Sequence, residues 1–428
     1  MRLGGRLAAA IEVLDDIERR HRPAADALKD WGLSHRFAGA GDRAAIGNIV
    51  YDALRRKRSA GWLVGDETSR ALGFGALLLE WDQSAEALNQ TLDGDKFAPE
   101  PLSAAELATI ASHKLDEAPD AVRADCPDWC APLLERAFGA EWVAEGAALA
   151  ARPPLDIRAN TLKADRARVI AELEGTQAAP TALAPHGVRI PPIDGSGRHP
   201  NVQAEPAFQK GWFEIQDEGS QLAAELAGAV PGMQVLDYCA GAGGKTLALS
   251  AAMENRGQIF AHDSEKSRLA PMFDRLRRSD NRNVQVVSKP SELSGLTGHM
   301  DLVLIDAPCT GSGTWRRRPD AKWRLTQRQL DVRKAEQSAI LDAASAYVKP
   351  GGLVVYITCS VFDEENADQV AAFLDRDKRF SAVDHKALWS QHFPDRADAV
   401  RFGAQGLSLT PARSGTDGFY FAAMRKAA

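Results

Sequence analysis

The chain reads as an α/β protein whose second half is a mostly parallel, doubly wound sheet. Three observations carry that expectation. From Gly232 onward, short apolar runs alternate with helical stretches, at Val235-Leu236, at Ile259-Phe260-Ala261 and at residues 284–287, 302–305 and 353–357. Such alternation marks strand–helix–strand units with parallel strands. A Gly-rich turn, Gly241-Ala242-Gly243-Gly244, follows the first run and opens a helix. Residues 1–150, by contrast, read as helical and stand apart as an all-α domain.

The elements follow in order. Ile46, Ile49, Val50 and Leu54 recur at helical spacing, and Arg55, Arg56, Lys57 and Arg58 close that helix. Residues 104–113 and 133–138 are further helical stretches, with a break at Pro99 and Pro101. Cys126 and Cys130 have no second ligand pair nearby, so they are read as packing residues and no metal is expected. Arg152-Pro153-Pro154 punctuates the chain, and Leu155-Asp156-Ile157-Arg158 looks like a strand. Residues 176–206 are rich in Pro and Gly and read as loop. Residues 418–424, Gly-Phe-Tyr-Phe-Ala-Ala-Met, form a plausible last strand.

Bulk properties exclude several classes. No apolar run in the 428 residues approaches the roughly 20 needed to span a bilayer. Glu12, Asp15 and Asp16 follow the first apolar stretch at once, which makes a poor signal peptide. Five cysteines in so long a chain do not make a disulfide framework, so reduced thiols and a cytoplasmic location are expected. Net charge is −6, weakly against a nucleic-acid partner, but distribution matters more than the sum. Residues 1–60 hold twelve Lys/Arg against eight Asp/Glu. The clusters at residues 55–58 and 316–318 could each touch phosphates or simply be solvated.

The segment Val235-Leu236-Asp237-Tyr238-Cys239-Ala240-Gly241-Ala242-Gly243-Gly244-Lys245-Thr246 is a strand, a Gly-rich turn and a helix start. Glycines let backbone approach a ligand, and the helix start offers free N–H donors. A phosphate-binding P-loop needs Gly where Cys239 stands, and a dinucleotide fingerprint needs Gly where Thr246 stands. Both fail. The remaining reading is a methyl donor, S-adenosylmethionine. Asp263 follows the second strand run, where a carboxylate can accept both ribose hydroxyls, although it could also serve as a helix cap.

Two cysteines lie where strands are expected to end. Cys309 stands in Asp306-Ala307-Pro308-Cys309 and Cys359 in Thr358-Cys359-Ser360. In an open α/β sheet the ligand crevice lies beyond the carboxyl ends of the strands. Carbon 5 of cytosine is too weak a nucleophile to take a sulfonium methyl unaided. A thiolate added to carbon 6 corrects that, with an acid near ring N3 and a base to complete the cycle. Asp306, Cys309 and Cys359 offer the set, and Lys245 is a candidate cation to hold a thiolate.

At this point the chain resembles the Sun/nucleolar-antigen family of S-adenosylmethionine-dependent RNA cytosine-5 methyltransferases, in its RsmB type. The resemblance runs from about Pro127 to the C-terminus. Its markers, in order, are Arg152-Pro153-Pro154-Leu155-Asp156-Ile157-Arg158-Ala159-Asn160-Thr161-Leu162-Lys163, Ile215-Gln216-Asp217-Glu218-Gly219-Ser220-Gln221, the donor loop and residues 306–310. Arg317-Arg318-Pro319-Asp320, Thr358-Cys359-Ser360 with Glu364-Glu365-Asn366, and Asp417-Gly418-Phe419 complete the series. The resemblance implies a Rossmann-like (class I) methyltransferase domain over residues 231–428, a small α/β RNA-binding subdomain over 151–230, and a helical NusB-like RNA-binding domain over 1–150.

It further implies that Cys359 is the nucleophile, that Cys309 assists release, and that Asp306 and Lys245 lie against the target base. Cys239, Ala240, Gly241, Ala242, Gly243, Gly244, Lys245, Asp263, Asp306 and Arg268 would bind the donor. The family carries Ala-Pro where this chain has Gly241-Ala242. It often places an acidic residue near the adenine, where this chain offers Ser288 and Lys289. A second thiol favours RNA over DNA cytosine-5 chemistry, and Pro308-Cys309 excludes amino-group methylation, which uses Pro-Pro-aromatic. The target base must be flipped out. Trp315 and Trp323 could then stack on neighbouring bases, or pack in a core, while Arg316, Arg317 and Arg318 hold phosphates. The expected partner is RNA, 16S ribosomal RNA in particular, for a monomer with no membrane and no metal. A transfer RNA substrate, or a non-catalytic ribosome assembly factor, are the alternatives.

Overall fold

The computed structural model describes residues 1–428. The chain divides into two compact units. The first comprises Met1–Pro153, Pro192–His199 and Thr314–Leu325; the second holds the remainder.

The first unit is helical. Its leading helices are Leu3–Arg20, Ala24–Ser34, Ala40–Arg55, Lys57–Val64 and Ser69–Glu80. Leu7, Val13, Ile46, Ile49, Val50, Phe74 and Leu77 line one core at 0–1% exposure, as the helical spacing of the apolar residues requires. Gly75 is needed where two helices cross, because a Cβ there would sit 2.5 Å from Cβ of Ala60. Asp52 is the polar centre of the unit. Its carboxylate accepts from Trp81 Nε1 at 2.9 Å, Arg55 Nη1 at 3.0 Å and Arg152 Nε at 2.9 Å. Arg152 in turn donates to Gly195 O at 3.1 Å, which fixes the 192–199 loop.

Two readings of the basic and aromatic residues are corrected here. The cluster at residues 55–58 is neutralised: Arg56 pairs with Asp125 and Glu80, Lys57 with Glu18, and Arg58 with Asp128. Cations so engaged have little left for phosphates. Trp315 is 1% exposed, and Trp323 donates to Leu54 O at 2.6 Å while packing on the helical core. The Trp315 ring is closed to a base, and Trp323 is half-buried against the helices. Arg316 is 4% exposed and its carbonyl accepts from Arg55 Nε at 2.7 Å, which leaves Arg318 as the exposed member of its run.

The second unit carries two sheets. The smaller is antiparallel, in the order β2-β3-β1-β4, from β1 (Leu155–Ala159), β2 (Ala179–Pro180), β3 (Gly187–Ile190) and β4 (Phe213–Ile215). The stretch expected to be loop thus contains two short strands. The larger has nine strands. They are β5 (Gln234–Asp237), β6 (Gln258–His262), β7 (Val284–Val287), β8 (Met300–Asp306), β9 (Val348–Thr358), β10 (Phe380–Ala382), β11 (Arg401–Phe402), β12 (Leu407–Leu409) and β13 (Phe419–Lys426). Their order is β11-β12-β13-β9-β8-β5-β6-β7, with β10 against β13. Pairs β5/β6, β6/β7, β5/β8 and β8/β9 are parallel, and β13 is antiparallel to β9.

Leu302, Val303, Leu304 and Ile305 of β8 and Val354, Val355, Tyr356 and Ile357 of β9 are all at most 1% exposed. Burial on both faces explains why these strands read as unbroken apolar runs. Strand order reverses between β5 and β8, so the loops leaving their carboxyl ends flank one crevice. No helix is long and apolar enough to cross a membrane.

Candidate active site

The loop after β5 is bent by two left-handed glycines, Gly241 at φ +51° and Gly243 at φ +87°. A Cβ on Gly243 would meet Met272 at 2.8 Å, so the position is sterically reserved for glycine as well. The loop is tied down from several sides. Ala240 N donates to His262 O at 2.7 Å, Gly241 N to Asp263 Oδ2 at 3.0 Å, and Arg275 Nη1 to Ala242 O at 2.7 Å. Arg275 is itself aimed by Glu214 of β4, 3% exposed, at 3.0 Å.

Asp263 is 1% exposed and also accepts from Glu265 N at 3.0 Å, so its capping role is real. Arg268 closes over it at 3.1 Å and would have to swing aside for a diol to reach the carboxylate. With 47% of its side chain exposed, it has room to do so. Ser288 follows β7 and is half-buried, next to exposed Lys289. At the base of the loop Asp237, 1% exposed, accepts from Thr246 Oγ1 at 2.6 Å, while its Oδ1 has no partner. Burial, reinforced by Asp306, pushes Asp237 up to about 7 against that hydrogen bond. Burial and the carboxylates of Asp237 and Asp263 push the Cys239 thiol up as well.

A glycine cradle, an unpartnered buried carboxylate oxygen and a second carboxylate at the next strand end suit a cationic ligand bearing a diol. The residues present therefore fit S-adenosylmethionine. Asp237 was absent from the donor set read in the sequence. Its neighbour Thr246 and its strand-end position were visible there, but its orphaned oxygen was not.

The two predicted cysteines meet. Cys309 Sγ lies 3.4 Å from Cys359 Sγ, both half-buried. Each stands on a braced turn. Gly313 N donates to Cys359 O at 2.9 Å, and Gly418 N to Gly313 O at 2.8 Å. A Cβ on Gly313 would sit 2.1 Å from Gly418 O, so this approach admits only glycine. Ser312 and Ser360 hydroxyls join at 2.9 Å, and Asn366 Nδ2 donates to Ser360 O at 2.9 Å.

Glu365, fully buried, is the main brace. Its carboxylate accepts from Thr310 N at 2.8 Å and Gln337 Nε2 at 3.0 Å, and Gln337 also donates to Pro308 O at 2.9 Å. The hydrogen bond to Cys359, then burial, and also the charge of Glu365 hold the Cys309 thiol well above the ordinary thiol range. The two sulfurs share one hydrogen bond, in which either can be the donor.

Lys245, 6% exposed, pairs with Asp306 Oδ2 at 2.7 Å and lies 5.2 Å from the centroid of the Phe419 ring. Its ammonium serves the carboxylate and makes no hydrogen bond to either sulfur. The aromatic beneath it was not legible from spacing, because Phe419 arrives from β13, far along the chain.

A mostly parallel sheet with a glycine-cradled loop after its first strand and charged side chains at the next strand ends defines a Rossmann-like methyltransferase fold. Residues 226–425 match the family described as 16S rRNA methyltransferase RsmB/F. Residues 126–192 match the ferredoxin-like domain described for the same proteins. The chain is 30% identical over 412 residues to Ribosomal RNA small subunit methyltransferase B of Salmonella newport, covering 90% of this chain and 91% of that one. The protein of the same name from Citrobacter koseri is 30% identical over 366 residues, 78% of this chain and 82% of its own. A solved methyltransferase homologue from Pyrococcus horikoshii superposes with a TM-score of 0.58 at 26% identity, over 72% of this chain and 97% of that one. The chain belongs to the RsmB/F methyltransferase family.

Proposed function

We propose that the protein methylates carbon 5 of a cytosine in small-subunit ribosomal RNA through a covalent bond from Cys359 to carbon 6. The observation that carries this reading is the 3.4 Å sulfur pair at the crevice, where the Cys309 thiol is held above the ordinary thiol range. One thiol is needed as a nucleophile, and a second that stays protonated beside it has a distinct task. The RNA assignment rests on the relatives named for ribosomal RNA of the small subunit.

Cys239, Ala240, Gly241, Ala242, Gly243, Gly244, Asp263 and Ser288 would hold S-adenosylmethionine, which would supply an electrophilic methyl group. The S–H of Cys309 stabilises the Cys359 thiolate by donating to it. That thiolate adds to carbon 6 of the flipped cytosine, and the displaced electron pair makes carbon 5 nucleophilic. The Lys245 ammonium, held by Asp306, would offset the negative charge that develops toward ring N3, and Asp306 would contact the ring beside it. Once carbon 5 is methylated, a solvent water takes its proton, the electron pair of that bond re-forms the carbon 5–carbon 6 double bond, and the carbon 6–sulfur bond breaks with Cys359 departing as thiolate. The Cys309 hydrogen bond lowers the cost of that departure.

Cys359→Ala is expected to abolish transfer from labelled donor to 16S ribosomal RNA. Cys309→Ala is expected to form the bond but release it slowly, leaving an enzyme–RNA adduct on denaturing gels. An adduct with Cys359→Ala and none with Cys309→Ala would reverse the two roles.

A further inference from the structure

Arg158 of β1 is 6% exposed and makes one hydrogen bond, from Nε to Gln216 Oε1 at 2.7 Å. Its remaining N–H groups have no protein acceptor, and no carboxylate pairs with it. Glu214, opposite it on β4, is already shared by Arg275 and Arg278. Burial together with Arg275 pulls the guanidinium down to about 10.

The free edge of Arg158 borders a cavity of about 270 Å³ in the second unit. Small side chains wall it, among them Ala224, Ala248 and Ala251. Gln221, 5% exposed, lines the same cavity, and its Oε1 is buried with no donor. Glu225 and His186 stand at the wall as well. The proposed mechanism uses none of these groups. A planar fork of N–H donors matches the two oxygens of a carboxylate or phosphate, and such an anion would compensate the buried charge. The unpaired Gln221 oxygen would receive the O–H of a partly protonated phosphate, or of a water bound alongside a carboxylate.

We propose that this cavity binds a small oxyanion, a carboxylate or a phosphate, clamped by the open edge of Arg158. The site lies apart from the two thiols, on the helix Gly244–Ala252 that leaves the donor loop.

Thermal unfolding of the full chain with inorganic phosphate, acetate or chloride at matched ionic strength tests the proposal. Phosphate or acetate is expected to raise the melting temperature saturably, and whichever does so identifies the anion. In Arg158→Met the response is expected to weaken about tenfold or more, the scale of a lost charge-assisted pair. Ala248→Leu, which fills the cavity and leaves Arg158 in place, is expected to remove the response as well. It serves as the test if Arg158→Met does not fold. Equal stabilisation by chloride, no stabilisation by either oxyanion, or an undiminished response in the variants would overturn the site.

Discussion

At Asp237 a single carboxyl group links burial to pH. Its folded value of about 7 lies above the unfolded value of 3.8, so protonation favours the folded state. The stability this contributes is complete below about pH 4 and is lost as pH rises through about 7. A cationic donor acts in the opposite sense, since it prefers the carboxylate. Donor affinity is therefore expected to climb as pH rises toward 7 and then level off. Asp237→Asn is expected to flatten that profile and to raise stability at neutral pH, which calorimetric titration and urea unfolding across pH would read. A pH-independent affinity in the parent chain would show that Asp237 keeps its proton on binding. The sequence showed its strand-end position but not its role, because the unpaired oxygen follows from burial. Glu365 was likewise quoted only as part of a motif. Its partners Thr310 and Gln337 come from two distant segments, and local sequence cannot show such a convergence.

Among the elements, the donor loop shows how support is distributed. The bond from Arg275 to Ala242 O holds the loop from the helix Lys266–Ser279, and Glu214 of β4 aims the arginine. Arg275→Met is expected to weaken donor binding by roughly 1 kcal/mol, the net worth of one hydrogen bond, with the fold intact. An unchanged dissociation constant would mean that the loop stands unaided. The strands that carry the site were legible in the sequence because burial on both faces leaves continuous apolar runs. The strand Gly187–Ile190 was not, since it is short and sits in a Pro- and Gly-rich stretch whose local signals all read as loop. The tryptophans after Cys309 were ambiguous for another reason. Aromatic rings serve stacking and core alike, and only the helices that cover Trp315 and Trp323 decide between them.

For the molecule as a whole, the division of the chain matters more than its linear order suggests. The segment Thr314–Leu325 lies within the helical unit although it follows the Cys309 loop in sequence. Lys322, 1% exposed, donates to Arg55 O at 3.2 Å, and Arg316, 4% exposed, accepts from Arg55 Nε at its carbonyl. Trypsin is therefore expected to spare Arg316 and Lys322 in the intact protein. It is expected to cut there quickly in a chain lacking residues 1–150, whose Trp315 and Trp323 would have no core to enter. Mass spectrometry of the first cleavage products would decide. Equal protection in both chains would mean that the segment holds its conformation without the helices.

The same interleaving bears on how the protein is made. Ala24 N reaches Asp320 Oδ2 at 3.4 Å across 296 positions. The first helices to leave a ribosome thus cannot complete their packing until Leu325 has emerged. At about 5–20 residues per second, that wait is on the order of ten seconds or more, with apolar surface exposed throughout. The N-terminal helices are the part of this polypeptide with most reason to need a chaperone during synthesis.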